Sequence, residues 1–474
     1  MSLRVSAALL CTALAGCSVG PDYVRPDVAV PDAFREAAET SPAWPQADWW
    51  RGFGSPELDG YIDEALRANY DLAAAVARVR EADALAKAAG AALLPAVSAG
   101  GSGIRERTLA TNGSYQNVKL YGAQISASYE IDFWGKNRAT RDAAVAAATA
   151  SRYDRATVEL TLMTAVATTY FQGIELRERL AVAQRNLDAA MYILKGLQLQ
   201  RSVGIATALD VAQQETTVAT LSASVPSLEQ QLSQTVHALA LLIGRAPEAL
   251  EAPQGSMATL SGPGISAGLP SELLARRPDV AEAEANLMAA NANIRAARAA
   301  FFPSIELTGS AGFASLALAN AISSQSHVFA VGASLTQPIF QGGALEGRYE
   351  FTQARYDELV ASYRKAVFSA LGNVEDSLVA VRQTEEQTRR QETAAATARR
   401  AHDIALAQLK SGVVSILTVL NTEAAMFSAE DALVQARFAR LQALVSLFGA
   451  LGGGWQMEPQ QTGNATQKEQ RKDG

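Results

Sequence analysis

Four well-separated landmarks in this 474-residue chain have a counterpart 208 positions later: Asp71 and Asp279, Pro95 and Pro303, Gly204 and Gly412, Glu215 and Glu423. The surrounding stretches agree in kind, AALLPAVSAGGSG with AAFFPSIELTGSAG and RSVGIATALDV with KSGVVSILTV. One offset kept over such distances is the mark of a tandem duplication. The two halves must therefore build the same elements in the same order. The expected division is a first repeat over 56–244, a proline-rich and glycine-rich linker over 245–269 with Pro247, Pro253 and Pro263, and a second repeat over 270–455.

Each copy opens with helices, passes through strands and closes on two long helices. Ser55-Pro56-Glu57 supplies an N-cap and a proline at the first helical position, and helical periodicity continues, with a break expected near Tyr70-Asp71, to Leu94, where Pro95 ends it. From Lys136 to Val203 there is no proline and only Gly173 and Gly196, so a helix of roughly 100 Å is predicted. Gly204 then stands where a left-handed C-cap needs a glycine, and a return helix is expected from Thr207 to Ile243. The second copy repeats this over Leu345 to Lys410, Gly412, and Ser415 to Leu451. Taken alone, such helices suit an ordinary structural coiled coil.

The strands narrow the choice. From Val118 to Phe133, Tyr121, Ala123, Ile125, Ala127, Tyr129, Ile131 and Phe133 alternate with Gly122, Gln124, Ser126, Ser128, Glu130 and Asp132. Ile305 to Phe313 alternates likewise with Ser304, Glu306, Thr308, Ser310 and Gly312, and a further strand runs through Phe329 to Thr336. Val97 to Arg105 carries a weaker pattern and is placed by its counterpart in the second copy. A soluble sandwich also alternates, but 16 residues exceed its usual strand and suffice to cross a bilayer. The expected lumen face holds Gln124, Ser126, Ser128, Glu130, Asp132 and Glu306. Four strands per chain are too few to close a membrane barrel, so several chains must share one. Two chains give a barrel filled by its own side chains, whereas three give twelve strands and room for a lumen.

The N-terminus adds a second membrane attachment. Arg4, the apolar run Val5 to Leu14, and Ala15-Gly16 form an export signal over 1–16, too short to span as a helix. Leu14-Ala15-Gly16-Cys17 resembles the bacterial lipobox, which marks Cys17 for lipidation; the other cysteine, Cys11, leaves with the signal. Residues 17–55 then read as a lipid-anchored tether, and 456–474 as a polar tail expected to be disordered.

Composition excludes several classes. At 49% hydrophobic and 19% charged the chain is globular, and a net charge of −7 leaves no basic footprint for nucleic acid. His237, His327 and His402 stand apart without metal-ligand spacing, and there is no P-loop or dinucleotide motif. No enzyme activity and no cofactor are expected. Arg276-Arg277-Pro278-Asp279 reads as a helix start, with the arginines paired to nearby acids.

CSVGPDYVRP, SPELDGYIDEALRANYDL, LPSELLARRPDVAEAEANL and the closing ALGGGW resemble the TolC-like outer-membrane factor family, in its lipid-anchored OprM/NodT-like efflux branch. The resemblance implies a mixed α/β membrane protein and a homotrimer. It further implies a transmembrane twelve-stranded β-barrel, four strands per chain, continuous with a long periplasmic α-helical barrel. It implies as partners a periplasmic adaptor protein and an inner-membrane pump of the resistance-nodulation-division type, with passage of drugs or other small molecules outward. A type I protein-secretion partner shares the same fold, and a poreless periplasmic scaffold is the reading from another class. In the family the hairpin tips close the entrance. Aligned on Gly204 and Gly412, the tip residues here are Asp210, Leu417, Thr418 and Asn421. Thr418 and Asn421 replace acids that relatives carry, so the implied gate is Leu417 packing with hydrogen bonds of Asn421 and Asp210, and not a carboxylate ring.

Overall fold

The computed structural model describes residues 19–35, 44–109, 111, 113–264, 270–320 and 322–457; Cys17, the signal and the polar tail after Met457 lie outside these residues. Seven helices longer than one turn and four strands follow in order. They are α1 (Pro56–Ala68), α2 (Tyr70–Gly90), β1 (Ala96–Leu109), β2 (Tyr115–Ile131), α3 (Lys136–Ser202), α4 (Ala208–Leu242), α5 (Pro278–Ala299), β3 (Ser304–Ser315), β4 (His327–Thr336), α6 (Ala344–Lys410) and α7 (Ile416–Ala450). Three helix pairs, α2 with α5, α3 with α6 and α4 with α7, start 208 positions apart, and α3 and α6 each contain 67 residues while α4 and α7 each contain 35. Among the described residues no helix is long and apolar enough to cross a membrane.

The chain divides into two compact units. The first comprises 1–27, 77–152 and 282–365, and it contains the sheet. All four strands are antiparallel neighbours in the order β1-β2-β3-β4, so β1 and β4 are the edges. Register follows the alternation: Ser126 lies opposite Ser98 on β1 and Ser310 on β3, and Ile125 opposite Ala99 and Ala311. Gly312 stands opposite Gln124, where an added Cβ would come within 2.1 Å of the Ala123 carbonyl oxygen. Only glycine fits that close approach. The described start of the tether lies along α5 in the same unit. Arg25 and Tyr23 both reach Glu284, and Asn291 donates from its side chain to the Pro21 carbonyl at 3.2 Å.

The second unit comprises 28–76, 153–281 and 366–474 and holds the main apolar core. Trp49 stacks on Phe448 at 4.8 Å, and Phe53 packs against Phe171 at 5.0 Å. Ser55 caps α1 by accepting from the Leu58 amide at 3.2 Å, with Pro56 at the first helical position as predicted. The linker is strapped down over this core. Glu57 accepts from the Gln254 and Gly255 amides at 3.1 Å, and Glu178 accepts from the Met257 amide at 3.0 Å.

Two local expectations change. The helix break expected near Tyr70-Asp71 falls at Asn69, whose side chain caps the Leu72 amide at 3.0 Å and donates to the Leu242 carbonyl at 2.9 Å. Arg277 pairs with Asp279 as expected, whereas Arg276 lies over the Trp44 ring, 4.6 Å from its centre, and not on an acid. A guanidinium stacks on an indole face as readily as it pairs.

Candidate functional site

The expected site residues fall into two groups, one in each unit. In the sheet, Gln124, Ser126, Ser128 and Glu130 fall on a single face of β2, with Glu306 on the same face of β3 directly opposite Glu130. Like charges so placed repel. Lys136, the first residue of α3, offsets the repulsion with its ammonium 2.6 Å from Glu130. Asp132 differs from its expected place on this face. β2 ends at Ile131, and the Asp132 carboxylate turns to the start of α3, accepting from the Asn137 and Arg138 amides at 2.9 and 2.8 Å. The orphan amides of a helix start attract a carboxylate more strongly than an open strand face does.

The turns of the two hairpins lie in the second unit. Gly204 and Gly412 adopt φ of +78° and +69°, the left-handed conformation a side chain resists. Both are Schellman caps: Ile205 donates to the Gln200 carbonyl at 2.9 Å and Val413 to the Gln408 carbonyl at 2.9 Å. The return helices start differently. Thr207 and Asp210 form a complete capping box on α4, with the Thr207 amide 2.8 Å from the Asp210 carboxylate. Hydrogen bonds from the Thr207 hydroxyl and amide hold the Asp210 carboxyl below the usual carboxylate range. Both bonds fall on one carboxylate oxygen, so capping its own helix leaves the other oxygen of Asp210 for a contact outside the protomer. On α7 the cap residue Ser415 makes no side-chain capping bond, and Thr418 donates its amide to the Ser415 carbonyl at 3.1 Å. Leu417 is 47% exposed, and Thr418 and Asn421 are exposed beside it. Leu417 and Asn421 are four apart and so share one helix face.

A further pair was not among the expected site residues. Glu423, 1% exposed, and Gln214, fully buried, meet across α7 and α4 at 3.5 Å, while the Gln214 amide nitrogen also donates to the Ala190 carbonyl of α3 at 2.9 Å. Burial pushes the Glu423 carboxyl up to about 7, although the Gln214 amide opposes the shift. One oxygen on each side chain, Gln214 Oε1 and Glu423 Oε1, has no donor. A proton on Glu423 supplies the missing donor, which is why the neutral acid suits this place. The signal in the sequence was a carboxylate on the apolar stripe Val419, Leu420, Phe427. The histidines form no site: His327 packs against Phe313 at 4.8 Å, His402 is buried and His237 is exposed.

An open sheet with one apolar and one polar face, joined in one chain to duplicated helical hairpins, defines a protomer of an outer-membrane channel. The outer membrane efflux protein family matches residues 61–245 and 269–453, and the chain belongs to that family. The two matched stretches are themselves 208 positions apart. The chain is 42% identical over 459 residues to the pyoverdine export outer membrane protein OpmQ of Pseudomonas aeruginosa, covering 95% of this chain and 96% of that one. It is 32% identical to the probable efflux pump outer membrane protein TtgC of Pseudomonas putida, covering 99% and 97%. The open state of the MtrE outer membrane channel of Neisseria gonorrhoeae superposes with a TM-score of 0.85 at 31% identity, covering 92% and 98%. The protein is thus an outer-membrane efflux channel of TolC-like fold with a large periplasmic helical portion, a passive conduit and not an enzyme.

Proposed function

We propose that three copies close a twelve-stranded barrel and form the outer-membrane duct of a tripartite efflux system. A periplasmic adaptor receives the helical tips, and an inner-membrane pump of the resistance-nodulation-division type supplies the energy. The observation that carries this reading is the open four-stranded sheet with β1 and β4 at its edges. In hydrocarbon every backbone donor and acceptor must be paired, and four strands cannot do this alone. Joining β4 of one copy to β1 of the next removes every edge, and twelve strands leave a water-filled interior.

Gln124, Ser126, Ser128, Glu130 and Glu306 then line the lumen, and Leu417 with Asn421 meets its counterparts at the resting entrance, with Thr418 beside them. Lining groups so small and polar offer little to recognise a cargo, so selection rests with the pump. The likeness to OpmQ, named for pyoverdine export, makes pyoverdine the first cargo to test. Lipidated Cys17 provides an additional attachment to the membrane. Purified protein in a planar bilayer tests the duct directly. Stepwise conductance from a heat-modifiable trimer is expected, and silence at every voltage would overturn the proposal.

A further inference from the structure

The outward face of the sheet changes character above Tyr121. Below it, Ala123, Ile125, Ala127, Tyr129 and Ile131 form the apolar stripe of β2, matched by Ile305, Leu307, Ala311 and Phe313 on β3. The ten steps from Tyr121 to Ile131, at about 3.3 Å each and a tilt near 40°, rise about 25 Å along the membrane normal, the height of a barrel's apolar band. The next outward position is Lys119, about 5 Å higher and at the level of lipid headgroups.

Lys119 lies directly opposite Arg105 on β1, and Arg107 lies opposite Asn117 one step further out on the same face. Two cations opposed across a strand pair repel and weaken the hairpin. Arg105, Arg107 and Lys119 are exposed, and none forms an ion pair among the described residues. Arg107 instead lies over the Tyr115 ring, 4.7 Å from its centre. From Gly103 to Tyr121 the sole acid is Glu106, which alternation places on the opposite, lumen face with its partner Val118. The stretch from Ser315 to His327, which connects β3 to β4, contains no acid at all. This basic rim belongs to a chain of net charge −7, so it does not reflect a generally basic protein.

We infer that Arg105, Arg107 and Lys119 form a binding surface for the phosphate groups of the phosphorylated glycolipid in the outer leaflet. The height on the barrel, the outward direction, the uncompensated charge and the repelling Arg105–Lys119 pair all call for a fixed anion beside the apolar band. A lipid phosphate provides one in register, with its acyl chains against Ala123 and Ile125. The inference goes beyond conduction but rests on the same closed barrel, so conductance is recorded alongside lipid binding.

Full-length trimer is reconstituted with lipid A carrying both phosphates, or with dephosphorylated lipid A of the same acyl chains, and retained lipid is counted by native mass spectrometry. Each surface cation favours an anionic lipid about fivefold, so wild type at low salt should prefer the phosphorylated lipid on the order of a hundredfold. The Arg105→Gln, Arg107→Gln, Lys119→Gln triple variant should conduct as wild type does and lose this preference. Arg105→Glu places an acid opposite Lys119, which favours strand pairing, and should weaken the preference without loss of conductance. Equal retention of both lipids by wild type, or an undiminished preference in the triple variant, would overturn the inference. So would displacement of the lipid by free pyrophosphate at equal phosphate concentration, which would mark a site for soluble anions.

Discussion

Glu423 carries a buried carboxyl in the second unit. Its folded pKa of about 7 stands above the ordinary 4.5, so the folded protein holds a proton that the unfolded chain releases. Below pH 4.5 both states are protonated and the group costs nothing. Between about 4.5 and 7 the unfolded chain ionises first, so stability is lost as pH rises, and the loss levels off above 7. Glu423→Gln keeps the shape, removes the titration and supplies a permanent donor. Thermal melts followed by far-ultraviolet circular dichroism should show the variant more stable above pH 7, by up to about 3 kcal/mol, with the difference gone below pH 4.5. Equal melts at pH 8 would show that Glu423 is not buried neutral. Leu417 is 47% exposed at the turn, and its proposed place at the gate can be tested directly. Leu417→Ala should raise the resting single-channel conductance, and a conductance equal to wild type would remove it from the gate.

Elements were legible where one period ran without interruption. α3 and α6 follow from proline-free stretches ended by Gly204 and Gly412, and α3 and α4 begin and end within a residue or two of expectation, although α4 contains Pro226. Where two local preferences competed, the pattern misled. Asp132 continues the period of β2, yet its carboxylate caps α3, because alternation carries no information about where a strand stops. The Glu423–Gln214 pair was hidden for a related reason, since its members come from different copies and different helix faces. The strand faces make a sharp test because Ser126 and Ala127 are neighbours on opposite sides. Ser126→Arg should assemble and narrow the conductance, whereas Ala127→Arg places a cation in the apolar band at a cost of about 2–4 kcal/mol and should reduce the yield of trimer. Equal yields would mean that the faces are wrongly assigned.

At the scale of the whole molecule, a barrel closed by three copies already holds the protein in the membrane, and the lipid proposed on Cys17 would be a second fastening. Cys17→Ala behind a cleavable signal should still give a conducting, heat-modifiable trimer; complete loss of trimer would make the lipid a requirement of assembly. The duplication was legible from four landmarks, but what each copy does with its turn was not, because capping depends on side-chain geometry. Thr207 and Asp210 lock the first turn with reciprocal hydrogen bonds, while Ser415 leaves the second without a side-chain cap. A missing cap is worth about 1 kcal/mol at a helix start, so amide hydrogens at the second turn should exchange ahead of those at the first. The duplication thus left two copies of one turn whose caps have diverged. In the proposed trimer the capped and uncapped turns alternate around the threefold axis, so a change in one copy alone alters every second turn of the ring and leaves the rest as they are.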